Sequence, residues 1–313
     1  MTEPRILVVG EALIDIVERD GQPPVELPGG SCANVALALG RLGRHPHLAT
    51  VLADDARGRR IRAWLADSDV TLDVAAPATG RTSTAQAVLD AAGAARYVFD
   101  LSWVAPPVPD ERPDERPDVL HVGSIASVLE PGAEAVRDLV RRTHGGALVS
   151  FDPNARPAIT PDVEATRARV EELVALADVV KVSDEDLAWY FPGVPPVEAA
   201  AAWSTLGPAV VVVTRGGSGA SVLRAGGAVL EVAGEPVEVA DTIAAGDTFT
   251  AGLLDALLLA GIHGADAHHR ITALGDAELV AVVAHAHAAA AVTVSRPGAD
   301  PPTRAELDAR RQA

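Results

Sequence analysis

The segment DTIAAGDTFT, residues 241–250, sets two acids, Asp241 and Asp247, around a turn of very small side chains. An apolar run with helical spacing follows at Phe249, Leu253, Leu254, Leu257 and Leu258. The first N–H groups of such a helix have no intrahelical acceptor, and its dipole favours negative charge there. Small side chains let an anion approach those amides, so Ala244, Ala245 and Gly246 make a candidate anion hole without a lysine. Asp247 has two readings. As a cap or first-turn acid it supports the helix and needs no chemistry. As a general base it takes a proton from a hydroxyl attacking a phosphoryl group held over the amides. This stretch alone favours the first, because acids are common at helix starts.

A second stretch, PGGSCANVALALGRLG at 28–43, offers a glycine turn at Gly29 and Gly30 that brings backbone close to a ligand. Asn34 then opens a helix whose apolar face is Val35, Leu39 and Leu42. Taken alone, this is a turn and a polar helix start.

The elements that must hold these stretches alternate. Val/Ile-rich runs at 6–9, 48–52, 119–123, 147–152, 178–182 and 209–214 read as strands. Ala/Leu-rich stretches at 33–43, 56–67, 132–144, 162–176, 184–191, 196–206, 246–260 and 276–292 read as helices. Near-continuous apolar strands separated by helices predict an α/β, doubly wound, mainly parallel sheet covered on both faces. Such sheets bind ligands beyond the carboxyl ends of their strands. Residues 14–28 and 84–103 break the rhythm: they alternate and turn at Asp20-Gly21 and Gly93. They are expected to pair into a small β-sheet lid on a single domain spanning 1–313, with the Pro- and acid-rich 105–118 leading back to the core.

Composition narrows the function. The chain has 313 residues, 48% of them hydrophobic, enough for a packed core. Its net charge of −17 argues against nucleic acid or an anionic membrane as partner. No apolar run is read as reaching the ~18 residues of a membrane helix. The N-terminus lacks the features of a secretory signal, and the single Cys32 excludes an internal disulfide, so a cytoplasmic location is expected. Lys181, the only lysine, sits in VVKVSD and not in a Gly-Lys-Ser/Thr loop, so nucleotide phosphates are not held by a P-loop.

Together the two stretches resemble the signatures of the ribokinase-like (PfkB-type) sugar kinases: GGSCANVA with ALGRLG, and DTIAAGDTF some 200 residues on. GEALIDIV, FDPNARP, VVKVSDEDL, VVVTRGGSGA and AAAAVTVSRPGA extend the resemblance along nearly the whole chain, closest to the fructokinase branch. The resemblance implies a ribokinase-like fold and transfer of the ATP γ-phosphoryl group to a primary hydroxyl of a sugar, fructose first. Ribose, 2-keto-3-deoxygluconate or a nucleoside stand as alternatives, as does a non-catalytic sugar or nucleotide sensor. It makes Asp247 the base, with Ala244, Ala245 and Gly246 as the anion hole. Asp15, Gly29, Gly30 and Asn34 would bind sugar, Tyr97 and Phe99 would close over it, and Arg156 would lie near the transferred group. ATP would run past Lys181, Ser183, Thr214, Gly216, Gly217 and Gly219 to His287. Mg2+ would be organised through water by Asp186, and a K+ ion would sit by Asp241 among Ile243, Thr293, Arg296 and Gly298. A homodimer through the lids is a further expectation.

Three positions depart from the family pattern. Ala244 replaces a usual glycine and is expected at negative φ, since positive φ is costly for alanine. Ser183 and Asp186 replace an Asn-x-x-Glu element, and His287 stands where an Asn often faces adenine. His285 and His287 are two apart and point to different helix faces, and His268-His269 reads as a polar loop, so neither pair is a metal site. GGSGA leads into a strand, which denies it the helix of a dinucleotide fingerprint.

Overall fold

The structure, a computed structural model, describes residues 3–19, 23–89, 95–106, 108 and 116–312. Its main sheet has nine strands. The first strand, β1 (Ile6–Val9), lies inside it, with β4 (His47–Val51) and β5 (Thr71–Ala75) on one side. On the other lie β8 (Val119–Gly123), β9 (Leu148–Asp152), β10 (Val179–Ser183), β11 (Val210–Thr214), β12 (Ala220–Leu223) and β13 (Leu230–Val232). Pairing is parallel from β5 to β11, and β12 and β13 add antiparallel edges.

The apolar alternation along these strands divides the core. Ile6 and Val8 of β1 face a cluster built with α1 (Ser31–Arg41), α2 (Ala56–Ala66), α7 (Ala245–Leu259) and α9 (Asp276–Val294). Leu7 and Val9 face the opposite cluster, with α3 (Gly132–Thr143), α4 (Val163–Val174), α5 (Asp184–Tyr190) and α6 (Pro196–Ser204). The chain leaves β1 toward β4 and later resumes on the far side at β8. The strand order thus reverses between β1 and β8, and the crevice beyond their carboxyl ends is where a doubly wound sheet takes ligands.

The rhythm-breaking segments form a second sheet. β2 (Leu13–Arg19), β3 (Val25–Gly29), β6 (Thr84–Leu89) and β7 (Ala95–Asp100) pair in the order β3-β2-β6-β7. Two antiparallel hairpins meet along a parallel seam, Ile14 opposite Thr84 and Glu18 opposite Val88. Both hairpin tips, most of the 105–118 connector and the side chain of Tyr97 lie outside the described residues.

The expected strands and helices are present within about two residues at each end. Two expectations need correction, and one helix was not expected. His268 and His269 lie in a short helix, α8 (Ala267–Thr272), with His268 Nδ1 3.0 Å from Asp178, rather than in a loop. A further helix, α10 (Arg304–Gln312), closes the described chain. And α9 is, by length and composition, apolar enough to cross a membrane. Its apolar window is 56% buried within the fold, chiefly by α7. Small residues bring the two helices together: a Cβ on Gly252 would fall 2.9 Å from the Ala286 Cα. The alanine-rich run is thus a packing surface for a second helix.

Candidate active site

Asp247 enters the crevice from the first turn of α7 and is buried. Its carboxylate makes no capping bond to its own helix. It reaches α1 instead: Ser31 Oγ donates to Oδ1 at 2.7 Å and Asn34 Nδ2 donates to Oδ2 at 2.7 Å. The helix-capping reading of Asp247 therefore fails. Burial pushes its carboxyl up, the Ser31 and Asn34 bonds hold it down, Asp152 adds to the rise and Lys181 opposes it.

The loop before α7 carries the amides. Ala244, the residue preceding the helix, lies at φ 59°, ψ 13°, the left-handed region. This overturns the expectation of a negative φ. The reason is geometric: a left-handed residue at the helix entry lets the Ala244 carbonyl accept from Thr248 N at 2.8 Å while the next N–H groups turn outward. Alanine bears the Cβ strain of that conformation, about 1 kcal/mol or more. The Ala245 N–H donates weakly to Thr242 O at 3.2 Å. Those of Gly246 and Asp247 find no acceptor among the described residues. Asp241 ties this loop down by accepting from Ile243 N at 3.0 Å and Gly298 N at 2.8 Å.

Beneath the loop, Lys181 Nζ lies 2.9 Å from Asp152 Oδ2, both fully inside the protein. A Cβ on Gly246 would come within 3.0 Å of that ammonium, so the missing side chain lets the charge sit directly under the amides. Desolvation disfavours the Lys181 ammonium, but Asp152, Asp186 and Asp247 together raise its pKa above the ordinary value. Lys181 thus belongs to the floor of the site, paired with Asp152 beneath Gly246, and is not among the residues lining the smaller cavity.

Two cavities lie beside the loop that leads into α7, one touching Ile243 and the other Thr242. One of about 570 Å³ is lined by Asp15, Gly29, Asn34, Phe99, Arg156 and Ile243, among others, between the small sheet and the main domain. Burial raises Asp15 to about 6, with Arg156 opposing and Asp247 adding to the rise. A Cβ on Gly29 would fall 2.0 Å from the Asp15 carboxylate, and one on Gly30, at φ 104°, within 2.5 Å of the Glu11 carbonyl. Only glycine fits this turn. The other cavity, about 240 Å³, is lined by Thr214, Gly216, Gly217, Ala245, Gly246 and His287, with Phe249 and Val239. Burial lowers the pKa of His287, and its Nε2 is buried with no partner in the structure.

Several predicted residues have structural duties. Ser183 caps α5, accepting from Asp186 N at 3.0 Å. Gly219, at φ 97°, turns the chain into β12 and lines neither cavity. Asp186 Oδ1 accepts from Ala155 N at 3.1 Å, and its pKa is raised by burial and by Asp152. Thr293 Oγ1 donates to Thr248 Oγ1 at 3.0 Å, and Arg296 pairs with Glu306 at 2.6 Å. The sequence reading missed Ser31, Asn154, Asp152 and Glu11. Asn154 Nδ2 lies 2.8 Å from Ser31 Oγ, and Glu11 Oε1 accepts from Ser31 N at 3.1 Å. The available signal was position: Glu11 and Asp152 stand at or just past the carboxyl ends of core strands, where apolar runs give way to polar groups.

Comparison with known proteins agrees with this geometry. The model of the pfkB family carbohydrate kinases matches residues 3–306. The chain therefore belongs to the pfkB carbohydrate kinase family, phosphotransferases with an alcohol group as acceptor. It is 37% identical over 267 residues to a fructokinase of Rhizobium leguminosarum bv. trifolii, covering 80% of this chain and 79% of that one. Among solved structures, a fructokinase from Xylella fastidiosa with bound ATP superposes with a TM-score of 0.86 at 27% identity, covering 99% of each chain. A fructokinase double mutant from Vibrio cholerae O395, bound to fructose, ADP and potassium ion, gives 0.81 at 27% identity over 98% of each chain. The fold is ribokinase-like, as the sequence resemblance implied.

Proposed function

We propose that this protein transfers the γ-phosphoryl group of ATP to a primary hydroxyl of fructose, with Asp247 as the general base. One observation carries the reading. Asn34, bonded to Asp247, lines the larger cavity, while Gly246, next to Asp247 in the chain, lines the smaller. The base stands at the junction of two compartments.

The larger compartment suits a sugar. Asp15, Asn34 and Arg156 give it a small polar set within largely apolar walls, and the buried Asn34 Oδ1 has no partner among the described residues and can accept from a hydroxyl. The smaller suits ATP: glycines admit the nucleotide and His287 offers its unpartnered Nε2. The free N–H groups of Gly246 and Asp247, over the Lys181 ammonium, favour the charge that grows on the transferred group. Asp247 takes the hydroxyl proton as the oxygen attacks. The chain acts as one kinase domain, 1–313, with a lid from 14–28 and 84–103 that closes over sugar.

Mg2+ bound with ATP would neutralise phosphate charge, with Asp186 as the residue that would hold it through water. Asp186 keeps one carboxylate oxygen uncommitted to Ala155, which fits an ion held mainly by water and phosphate. Asp241, with neighbouring backbone carbonyls, supplies the hard oxygen donors that suit K+. Val98, on the face of the small sheet opposite the cavity-lining Leu27 and Phe99, is exposed and favours pairing of two lids in a homodimer. The free, buried Cys32 is consistent with a reducing cytoplasm.

A panel of fructose, ribose, 2-keto-3-deoxygluconate and nucleosides, assayed for ADP formation with Mg-ATP, tests the reading. Fructose should give the highest kcat/KM. No sugar-dependent turnover across the panel overturns it.

A further inference from the structure

We infer that Ser31 is a positioning residue whose hydroxyl, oriented by Asn154, holds Asp247 in place and ionised. The inference rests on the reading of Asp247 as the base.

The direction of each bond follows from chemistry. Arg156 Nη1 donates to Asn154 Oδ1 at 2.6 Å, and a guanidinium has no acceptor. That fixes the orientation of the Asn154 amide, so its Nδ2 faces inward, 2.8 Å from Ser31 Oγ and 3.4 Å from Asp247 Oδ1. The amide nitrogen only donates. Ser31 Oγ therefore accepts from it, and the single Ser31 proton points to Asp247 Oδ1 at 2.7 Å. The Arg156–Asn154–Ser31–Asp247 chain joins the loop after β9 to the starts of α1 and α7.

The need for that donor is local. Asp152 and Asp186 face the site from β9 and α5, Asp15 from β2 and Glu11 from the end of β1. Lys181 on β10 and Arg156 are the cations, and Cys32 is a buried thiol near Glu11, Asp247 and Asp152. Burial and Asp152 favour a proton on Asp247, and Asp15 is coupled to it; a protonated carboxyl cannot accept a proton from substrate. Of the three side-chain donors on Asp247, Asn154 makes only a long contact at 3.4 Å, and Asn34 lines the sugar cavity, where a substrate would share it. Ser31 lines neither cavity and is committed to the base alone.

The side-chain carboxyl ¹³C resonance of Asp247, assigned by its loss in Asp247→Asn, follows the ionisation directly. In Ser31→Ala its midpoint should rise by about one pH unit, and the acid limb of kcat/KM should rise with it. Asn154→Gly, which keeps the left-handed φ of 38° but removes the amide, should shift it the same way. The two shifts should be largely non-additive in the double variant, because Asn154 acts mainly through the Ser31 hydroxyl at 2.8 Å and only weakly on Asp247 directly at 3.4 Å. A midpoint unchanged in Ser31→Ala, with Asp247→Asn inactive, overturns the inference and leaves the base standing. Near-normal turnover in a folded Asp247→Asn protein removes the base and the inference with it. The expected loss in that variant is about 10²–10⁴-fold.

Discussion

The ammonium of Lys181 and the carboxylate of Asp152 form a buried pair at 2.9 Å, and Thr250 Oγ1 donates to the same carboxylate oxygen at 3.2 Å. Three segments, β9, β10 and α7, are thus pinned at the floor of the catalytic crevice. Removing one partner leaves the other charged in a dry site. Lys181→Met should cost about 3–5 kcal/mol in urea unfolding. Lys181→Met with Asp152→Asn should recover part of that loss. Equal losses in the single and double variants would show that the pair is not the source.

Ala244 at φ 59° reverses the usual cost of placing glycine at a helix entry. Ala244→Gly removes Cβ strain but adds freedom to the unfolded chain, and in the left-handed region the first effect is larger. A gain of up to about 1 kcal/mol, or roughly one to three degrees in Tm, is expected by calorimetry. A lower Tm would indicate that the loop is not left-handed there in solution.

Glu11 makes stability depend on pH. Burial raises its pKa from 4.5 to about 7, against the pull of its own backbone and of Arg156. The folded state then binds more protons than the unfolded state between these values, so this residue's contribution falls as pH rises through that window. Below about pH 4 both states are protonated and the effect vanishes. Glu11→Gln keeps an acceptor for Ser31 N and cannot ionise. It should stabilise the protein at pH 8 relative to wild type and gain less at pH 5. A gain independent of pH, measured by thermal unfolding at both, would assign the effect to packing.

The small sheet is expected to move with substrate. Phe99 on β7 and Leu27 on β3 line the larger cavity, so a bound sugar touches both hairpins. Hydrogen exchange in β2, β3, β6 and β7 should slow on saturation with fructose, excluding water from the transferred group. Unchanged exchange under saturation with a verified substrate would remove the closing motion. Sedimentation tests the dimer: a monomer at working concentration removes the lid-to-lid contact and leaves the kinase reading intact.

Much of this was legible in the residues. The core strands are Val/Leu runs long enough to mark themselves, and α1 and α7 announce their starts with glycine turns. β5, TLDVA, hid because a half-buried edge strand carries no continuous apolar run. α10, with Arg304, Arg310 and Arg311, hid because it is held by ion pairs more than by an apolar face. At the site, Asp247 and Asn34 were visible in their motifs, but their mutual bond was not: the two residues are 213 positions apart. The conformation of Ala244 was misread because residue preference argued one way and the surrounding loop closed the other. The pairing of Lys181 with Asp152 was not legible, because it depends on the register of neighbouring strands.

The parallel seam between β2 and β6 has a consequence for how the enzyme is assembled and altered. Ile14 pairs with Thr84, and between them the chain builds β4, α2 and β5 of the main sheet. Neither hairpin can complete the small sheet until that flank of the core has brought the other alongside. It is a contact of long sequence separation, and its loop-closure cost must be met before the seam forms. The seam is therefore expected late in folding, after the core flank. For protein engineering, the cover of the sugar pocket is not a transferable module. Exchanging it for that of another kinase means grafting two distant segments in register at once, and either graft alone would leave an open strand edge over the pocket.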